Sequence, residues 1–158
     1  MRHNMKLTRG SSNPWHVVDF PSCCSSAHQV EQEILDACRQ SHYSDRDLFA
    51  LKLALEEAMI NAVKHGNHSD PAKHVHVAYR VTPQRADISV EDEGTGFNPA
   101  AIADPTNEEN LESCHGRGLL LMRAFMSSVV FNPEGNRVTL TKFNESFRRD
   151  PARTVAFG

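Results

Sequence analysis

The chain has 158 residues, a length that fits one domain around a single hydrophobic core. Apolar residues make up 39%, charged residues 23%, and the formal net charge is -3, a soluble globular profile with no basic field for direct nucleic-acid binding. No apolar run approaches the ~18 residues that a membrane helix requires. The opening "MRHNMKLTRGSSN" is polar with no apolar segment behind it, so residues 1–13 are expected to form a disordered arm and not a secretory leader. "WHVVDF" (15–20) reads as a short strand ended by Pro21. Ser25 or Ser26 is placed to cap a helix with Val30, Ile34, Leu35 and Cys38 on one side. Ser44 and Asp47 have capping-box spacing ahead of a long helical pattern that stops at Gly66. "HVHVAYRV" and "ADISVED" alternate as strands, joined as a hairpin through "TPQR". From Asn98 to His115 the composition turns polar with two prolines, the mark of a long loop and a candidate lid. "GLLLMRAFM" reads as a helix and "NRVTLTKF", after the turn "NPEGN", as a last strand. Helices and mostly antiparallel strands together predict an α+β fold, a two-layer sandwich with helices covering one mixed sheet. The domain is expected over residues 14–146, with 147–158 a loosely ordered tail.

Three short motifs carry chemistry. In the helix 45–66, Leu48, Leu51, Leu55, Met59 and Ala62 form the core face. Nearly opposite them lie Glu57, Asn61 and Lys64, spaced i, i+4 and i+7. A solvated helix face explains that row, but Leu53 and Ile60 beside it suggest a covering layer or a ligand. A carboxylate, an amide and an ammonium in one row also supply a base, a metal ligand and a phosphate contact. In "VEDEGTGFNP" (90–99), Asp92 ends a strand and Gly94 and Gly96 follow. That is either an acidic turn or a pocket wall in which glycine lets backbone approach a ligand. In "HGRGLLLM", Gly116 and Gly118 flank Arg117 at a helix start, either a flexible loop end or an anion-binding terminus.

In order, "E-x-x-x-N-A-x-K-H-G", "D-E-G-T-G", a long loop and "G-R-G-L-x-L-M" strongly resemble the ATP-binding fold shared by histidine kinases, gyrase-type ATPases and anti-sigma factor serine/threonine kinases. The resemblance covers about residues 25–143, and "VEDEGTGFNP" with its very short lid looks most like the anti-sigma factor kinases. It implies a Bergerat-type fold that uses ATP and magnesium. Glu57 then takes the general base position, Asn61 that of the magnesium ligand, and Lys64 that of a phosphate contact. Asp92 reads adenine, Gly94 and Gly96 bring the chain to the nucleotide, and Gly116, Arg117, Gly118 and Leu119 cradle the phosphates. Glu56 is the neighbour most easily confused with Glu57. The partners implied are a sigma factor and an anti-anti-sigma protein that is phosphorylated, in a cytoplasmic homodimer without membrane or direct nucleic-acid contact. The competing expectation is a nucleotide-gated regulator-binding protein without significant kinase activity. A detached histidine kinase domain would need a phosphoacceptor hairpin, and a strand-passage ATPase further domains.

The remaining reactive residues point elsewhere. Cys23, Cys24, Cys38 and Cys114 make no C-x-x-C pair, which argues against structural zinc and a disulfide scaffold. His65, His68, His74 and His76 crowd together, yet no carboxylate pattern accompanies them, so solvent-facing histidines are expected over a metal site. Trp15 is expected in the core or an interface, and the methionines and phenylalanine of "LLLMRAFM" in the core.

Overall fold

The structure, a computed structural model, describes residues 13–98 and 114–148. Period-two alternation of branched residues builds its sheet: β1 (His16–Pro21), β2 (His74–Val81), β3 (Arg85–Asp92), β4 (Ser128–Phe131) and β5 (Arg137–Phe143). The strand order is β1-β2-β3-β5-β4, and every pairing is antiparallel. Register aligns Val18, Val77, Val90, Val138 and Phe131 in one row across all five strands. The next row on that face is His16, Tyr79, Ile88, Leu140 and Val129. This face meets the helices. The opposite face carries Val17, Ala78, Ser89, Thr139 and Val130, of which Val17 and Val130 are exposed.

The helices α1 (Cys24–Gln40), α2 (Asp45–Ile60), α3 (Cys114–Phe125) and the short α4 (Glu145–Arg148) form the second layer. The expected apolar side of α1 holds, with Val30, Ile34, Leu35 and Cys38 all buried. Its cap does not. Cys23 is the cap residue without a side-chain capping bond, and Ser25 and Ser26 fall inside the first turn. Their hydroxyls lie 3.5 and 2.9 Å from Cys23 Sγ instead. At the other end His42 adopts a left-handed conformation (φ 61°). His42 N donates to Arg39 O and Tyr43 N to Cys38 O, closing the helix in a Schellman motif without glycine. Pro21 is tolerated as the last residue of β1 because that strand is at the sheet edge. Trp15, partly exposed, lies beneath the Arg80 guanidinium, 5.0 Å from its ring centre. Among the described residues no helix is long and apolar enough to cross a membrane.

Leu51, Leu55, Met59 and Ala62 are buried as expected, with Leu48 partly so. Regular α-helix, however, ends at Ile60, and Asn61–Gly66 continue as a wider π-helical turn, with Asn67 N donating to Ala62 O at 2.9 Å. Half of the expected capping box forms. Ser44 Oγ accepts from Asp47 N at 3.1 Å, while the buried Asp47 carboxylate accepts from Glu145 N (3.0 Å) and pairs with Lys142 Nζ (3.4 Å). It thereby ties α2 to β5 and α4. Helix α3 begins at Cys114, four residues ahead of the expected start, and buries Leu119 and Met122. The arm up to residue 12, residues 99–113 of the candidate lid and residues 149–158 of the tail lie outside the described residues.

Removing one member of a buried ion pair leaves the other charge uncompensated, so Asp47→Ala is expected to lower stability by about 3–5 kcal/mol. Ser44→Ala, which removes only a cap, should cost about 1 kcal/mol. Urea unfolding of the two variants measures the contrast, and equal midpoints would show that the Asp47 carboxylate, with its Lys142 and Glu145 contacts, is worth no more than the cap.

Candidate functional site

The π-helical turn ends where β3 ends, and the two meet closely. A Cβ on Gly66 would overlap the Asp92 carboxylate, and one on Gly94 would overlap Gly66 O. Only glycine fits either place. Above this junction a cavity opens, with Ala58, Asn61, Ala62, His65 and Gly66 on the helix side. Asp92, Thr95, Gly96 and Phe97 form a second side, and Phe131, Gly135 and Asn136 a third. Met122 of α3 and Val90 of β3 supply apolar floor. Concave, largely apolar walls with a few convergent polar groups are the general form of a small-molecule site.

Asp92 is half-buried, and its Oδ1 accepts a hydrogen bond from Gly94 N at 2.8 Å. Burial pushes its carboxyl above the usual range; the Gly94 N–H opposes that shift and the nearby Glu91 charge reinforces it. Its backbone is clamped from the β4–β5 turn. Asp92 N donates to Asn136 O (2.9 Å), Asn136 Nδ2 donates back to Asp92 O (3.1 Å), and Asn132 Nδ2 holds Asn136 Oδ1 (2.7 Å). Gly96 (φ 76°) and Gly135 (φ 74°) interlock beside it. A Cβ on Gly96 would strike Glu134 O, and one on Gly135 would strike Phe97 O. These glycines are therefore needed by contacts within the chain, whatever else they admit.

Asn61 lines the same cavity, and its Oδ1 is buried without a hydrogen-bond partner among the described residues. A buried carbonyl oxygen left unmatched costs about 1–3 kcal/mol unless something else meets it. The helix row Glu57, Asn61, Lys64 does not stay together. In a turn closed by i→i+5 bonds the position four residues on stays beneath Asn61, so His65 lines the cavity while Lys64 is exposed outside its wall. Helix α3 is the layer expected over this row. A Cβ on Gly118 would overlap Glu57 Oε2, so the Glu57 carboxylate lies directly against α3. Glu56 instead turns toward Lys52, with 3.9 Å between the charged groups, which separates the two neighbouring glutamates. Gly116, Arg117 and Gly118 lie in the early turns of α3, Arg117 exposed and the Leu119 side chain in the core. Any ligand contact of Leu119 is thus through its backbone.

The histidine cluster forms no common centre. His76 Nδ1 lies 2.6 Å from Asp19 Oδ1 and Nε2 lies 3.7 Å from Glu93 Oε1, so its two nitrogens face two different carboxylates. Burial opposes the imidazolium, but these carboxylates outweigh it and raise the His76 pKa. Among the described residues no group of three or more His, Cys, Asp or Glu could hold a metal ion. His65, Gly66, Phe97, Phe131 and Asn136 were not singled out as site residues by sequence reasoning. The π-helical widening and the long-range pairing of the "NPEGN" turn with β3 bring them in, and the second glycine-rich turn was the one local signal.

Comparison with known proteins agrees with this geometry. The pattern of the histidine kinase-like ATPase domain matches residues 20–142. The serine-protein kinase RsbW of Bacillus licheniformis is 33% identical over 120 residues, spanning 72% of this chain and 75% of that protein. The serine/threonine-protein kinase BtrW of Bordetella bronchiseptica is 28% identical over 106 residues, 65% of this chain and 75% of its own. The anti-sigma F factor of Clostridium perfringens is 33% identical over 96 residues, 59% and 68% of the two chains. A crystal structure of the RsbU and RsbW domains of a Mycobacterium tuberculosis protein shares the fold, with TM-score 0.56 and 18% identity over 83% of this chain and 32% of that one.

The glycine contacts predict opposite outcomes at two positions. Gly135→Ala meets backbone in a left-handed conformation and should cost at least about 1–2 kcal/mol. Gly118→Ala meets only the end of a flexible side chain inside a helix, where alanine is favoured by roughly 0.5–1 kcal/mol, so stability should hold or rise. Thermal unfolding of the two variants decides, and a Gly135→Ala protein as stable as the parent would remove the interlock from the site.

Proposed function

The chain belongs to the histidine kinase-like ATPase domain family, among its anti-sigma factor kinases, and we propose that it is an ATP-dependent serine/threonine protein kinase. In this reading it binds a sigma factor and phosphorylates an anti-anti-sigma protein in the cytoplasm. The observation that carries the reading is a single cavity that joins the half-buried Asp92 to the unmatched oxygen of Asn61. Asp92, a carboxylate at the end of a strand, is suited to accept a hydrogen bond from the adenine amine. Asn61 Oδ1 is a hard oxygen donor and fits magnesium, which would neutralise phosphate charge when bound. On the α3 side, phosphate meets the first turn of the helix, which contains Gly116, with the helix dipole reinforcing it, while Arg117, Gly118 and Leu119 lie further along, where N–H groups bond within the helix. Lys64, exposed beyond the cavity wall, meets phosphate in this reading only by reaching back over it. Glu57 takes the proton from the partner's serine or threonine hydroxyl as its oxygen bonds to the terminal phosphorus and ADP leaves. Dimerisation through the open sheet face belongs to the same reading, and the exposed Val17 and Val130 support it.

A second reading has its own support. Glu57 packs against Gly118 instead of lining the cavity, as it would in a nucleotide-gated regulator-binding protein without significant phosphoryl transfer. Two variants separate these possibilities. Asp92→Ala should raise the Kd for ADP and ATP alike by roughly ten- to hundredfold, the value of a hydrogen bond to a charged group. Calorimetry giving an unchanged ADP affinity in the folded variant would remove Asp92 from the pocket.

Glu57→Gln keeps the shape and removes the charge, so nucleotide affinity should survive while transfer to the partner falls by about 10²–10⁴-fold. Radiolabelled ATP, an anti-anti-sigma protein and either form of the chain give the measurement. A parent chain that captures the partner in a nucleotide-dependent way yet labels no serine or threonine establishes the binder. A Glu57→Gln chain that labels as fast as the parent moves the base elsewhere, with Glu56 next to test.

A further inference from the structure

Beneath the cavity lies a polar side chain with no contact to solvent. Asn67 is 0% exposed, and all of its side-chain bonding capacity toward the chain goes to distant segments. Its Nδ2 donates to Ser22 Oγ at 2.6 Å and to His74 O at 2.8 Å, while its Oδ1 accepts from Glu93 N at 2.8 Å. Ser22 in turn donates its hydroxyl to Lys73 O at 3.0 Å, so the network closes without an unmatched group. A buried amide satisfied in this way specifies one arrangement of the segments it joins, because any slip leaves a donor or acceptor unpaired.

The arrangement it specifies is that of the cavity. The Asn67 backbone is held in the π-helical turn by its bond to Ala62 O, one residue past Gly66. Its side chain grips the N–H one residue past Asp92. Gly66 and Asp92 are the pair between which no Cβ fits. Glu93 is also held through its Oε2, which accepts from His74 N at 2.6 Å, so its side chain is fastened to the start of β2 while its N–H is held by Asn67. The left-handed His68 and Ser69 (φ 53° and 55°) follow it directly and reverse the course of the chain after the π-helical turn.

We propose that Asn67 is a positioning residue for purine recognition: by holding Glu93 N against the end of the π-helical turn, it sets the place and direction of the Asp92 carboxylate. This rests on the nucleotide reading above. The amine of an adenine ring donates to that carboxylate, whereas the carbonyl at the same place in guanine opposes it. The rigidity imposed by Asn67 therefore acts on the choice between the two bases more than on phosphate binding.

The test is the ratio of Kd for GDP to Kd for ADP, measured by calorimetry on the full chain. Asn67→Ala should weaken ADP and leave GDP unchanged, lowering the ratio by about three- to tenfold, part of the full value of the Asp92 hydrogen bond. Ser22→Ala, a gentler change that frees one side of the Asn67 amide, should lower it in the same direction by about twofold or more. In an Asp92→Ala background neither substitution should move the ratio further, since the two sites act through one group. Equal weakening of ADP and GDP, or an unchanged ratio in the variants that fold, overturns the proposal and leaves Asn67 a structural residue. If Asn67→Ala does not fold, Ser22→Ala decides by the same criterion. A parent chain that binds neither ADP nor GDP overturns the nucleotide reading itself, and the proposal with it.

Discussion

The meeting of Gly66 with Asp92 is the constraint on which the rest of the site depends. Two secondary-structure ends approach so closely that neither Gly66 nor Gly94 tolerates a Cβ. Such an approach requires that the helix end be delivered at a set height over the sheet, and the π-helical turn does this. Its wider winding rotates Asn61 and His65 toward the strand ends without moving the apolar face of α2 off the core. Asn136 on one side and Asn67 on the other then prevent the end of β3 from shifting. The cavity is a by-product of that junction, bounded by groups that had to be there for packing.

Helix α2 serves two layers at once. One side supplies Leu51, Leu55 and Met59 to the core on the sheet, and the other is closed by α3 through Gly118. Small residues make this double contact possible: Ala54, Ala58 and Ala62 are all buried along α2 and its extension. Because Asp47 anchors the start of the helix to Lys142 and Glu145, the chemistry at its far end rests on an element fixed at both ends. A site on such an element keeps its geometry better than one carried by loops.

Much of this was legible in the sequence, and the physical reason is periodicity. Strand β2 coincides with the alternating "HVHVAYRV", and the buried side of α1 with its apolar spacing, since both patterns are local and repeat. The motifs around Glu57, Asn61 and Asp92 were visible as spacings, and Glu57 was separable from Glu56 by the helical turn to Asn61. What was not legible depends on contacts far apart in the chain or on departures from ideal geometry. The π-helical turn puts His65 where regular winding would have put Lys64. His42 closes α1 in a conformation usually signalled by glycine. Asn67 and Asn136 look like ordinary turn residues until β3 is set between them.

The interlock of Gly96 with Gly135 also bears on how this architecture can change over time. It fixes the departure point of the connection between β3 and α3, and the packing of α3 on α2 fixes its return. Between two pinned ends, chain length is thermodynamically inexpensive: each doubling of a flexible loop costs only about 0.6 kcal/mol in closure entropy. Insertions and deletions there would leave the sheet register and the Asp92 junction untouched.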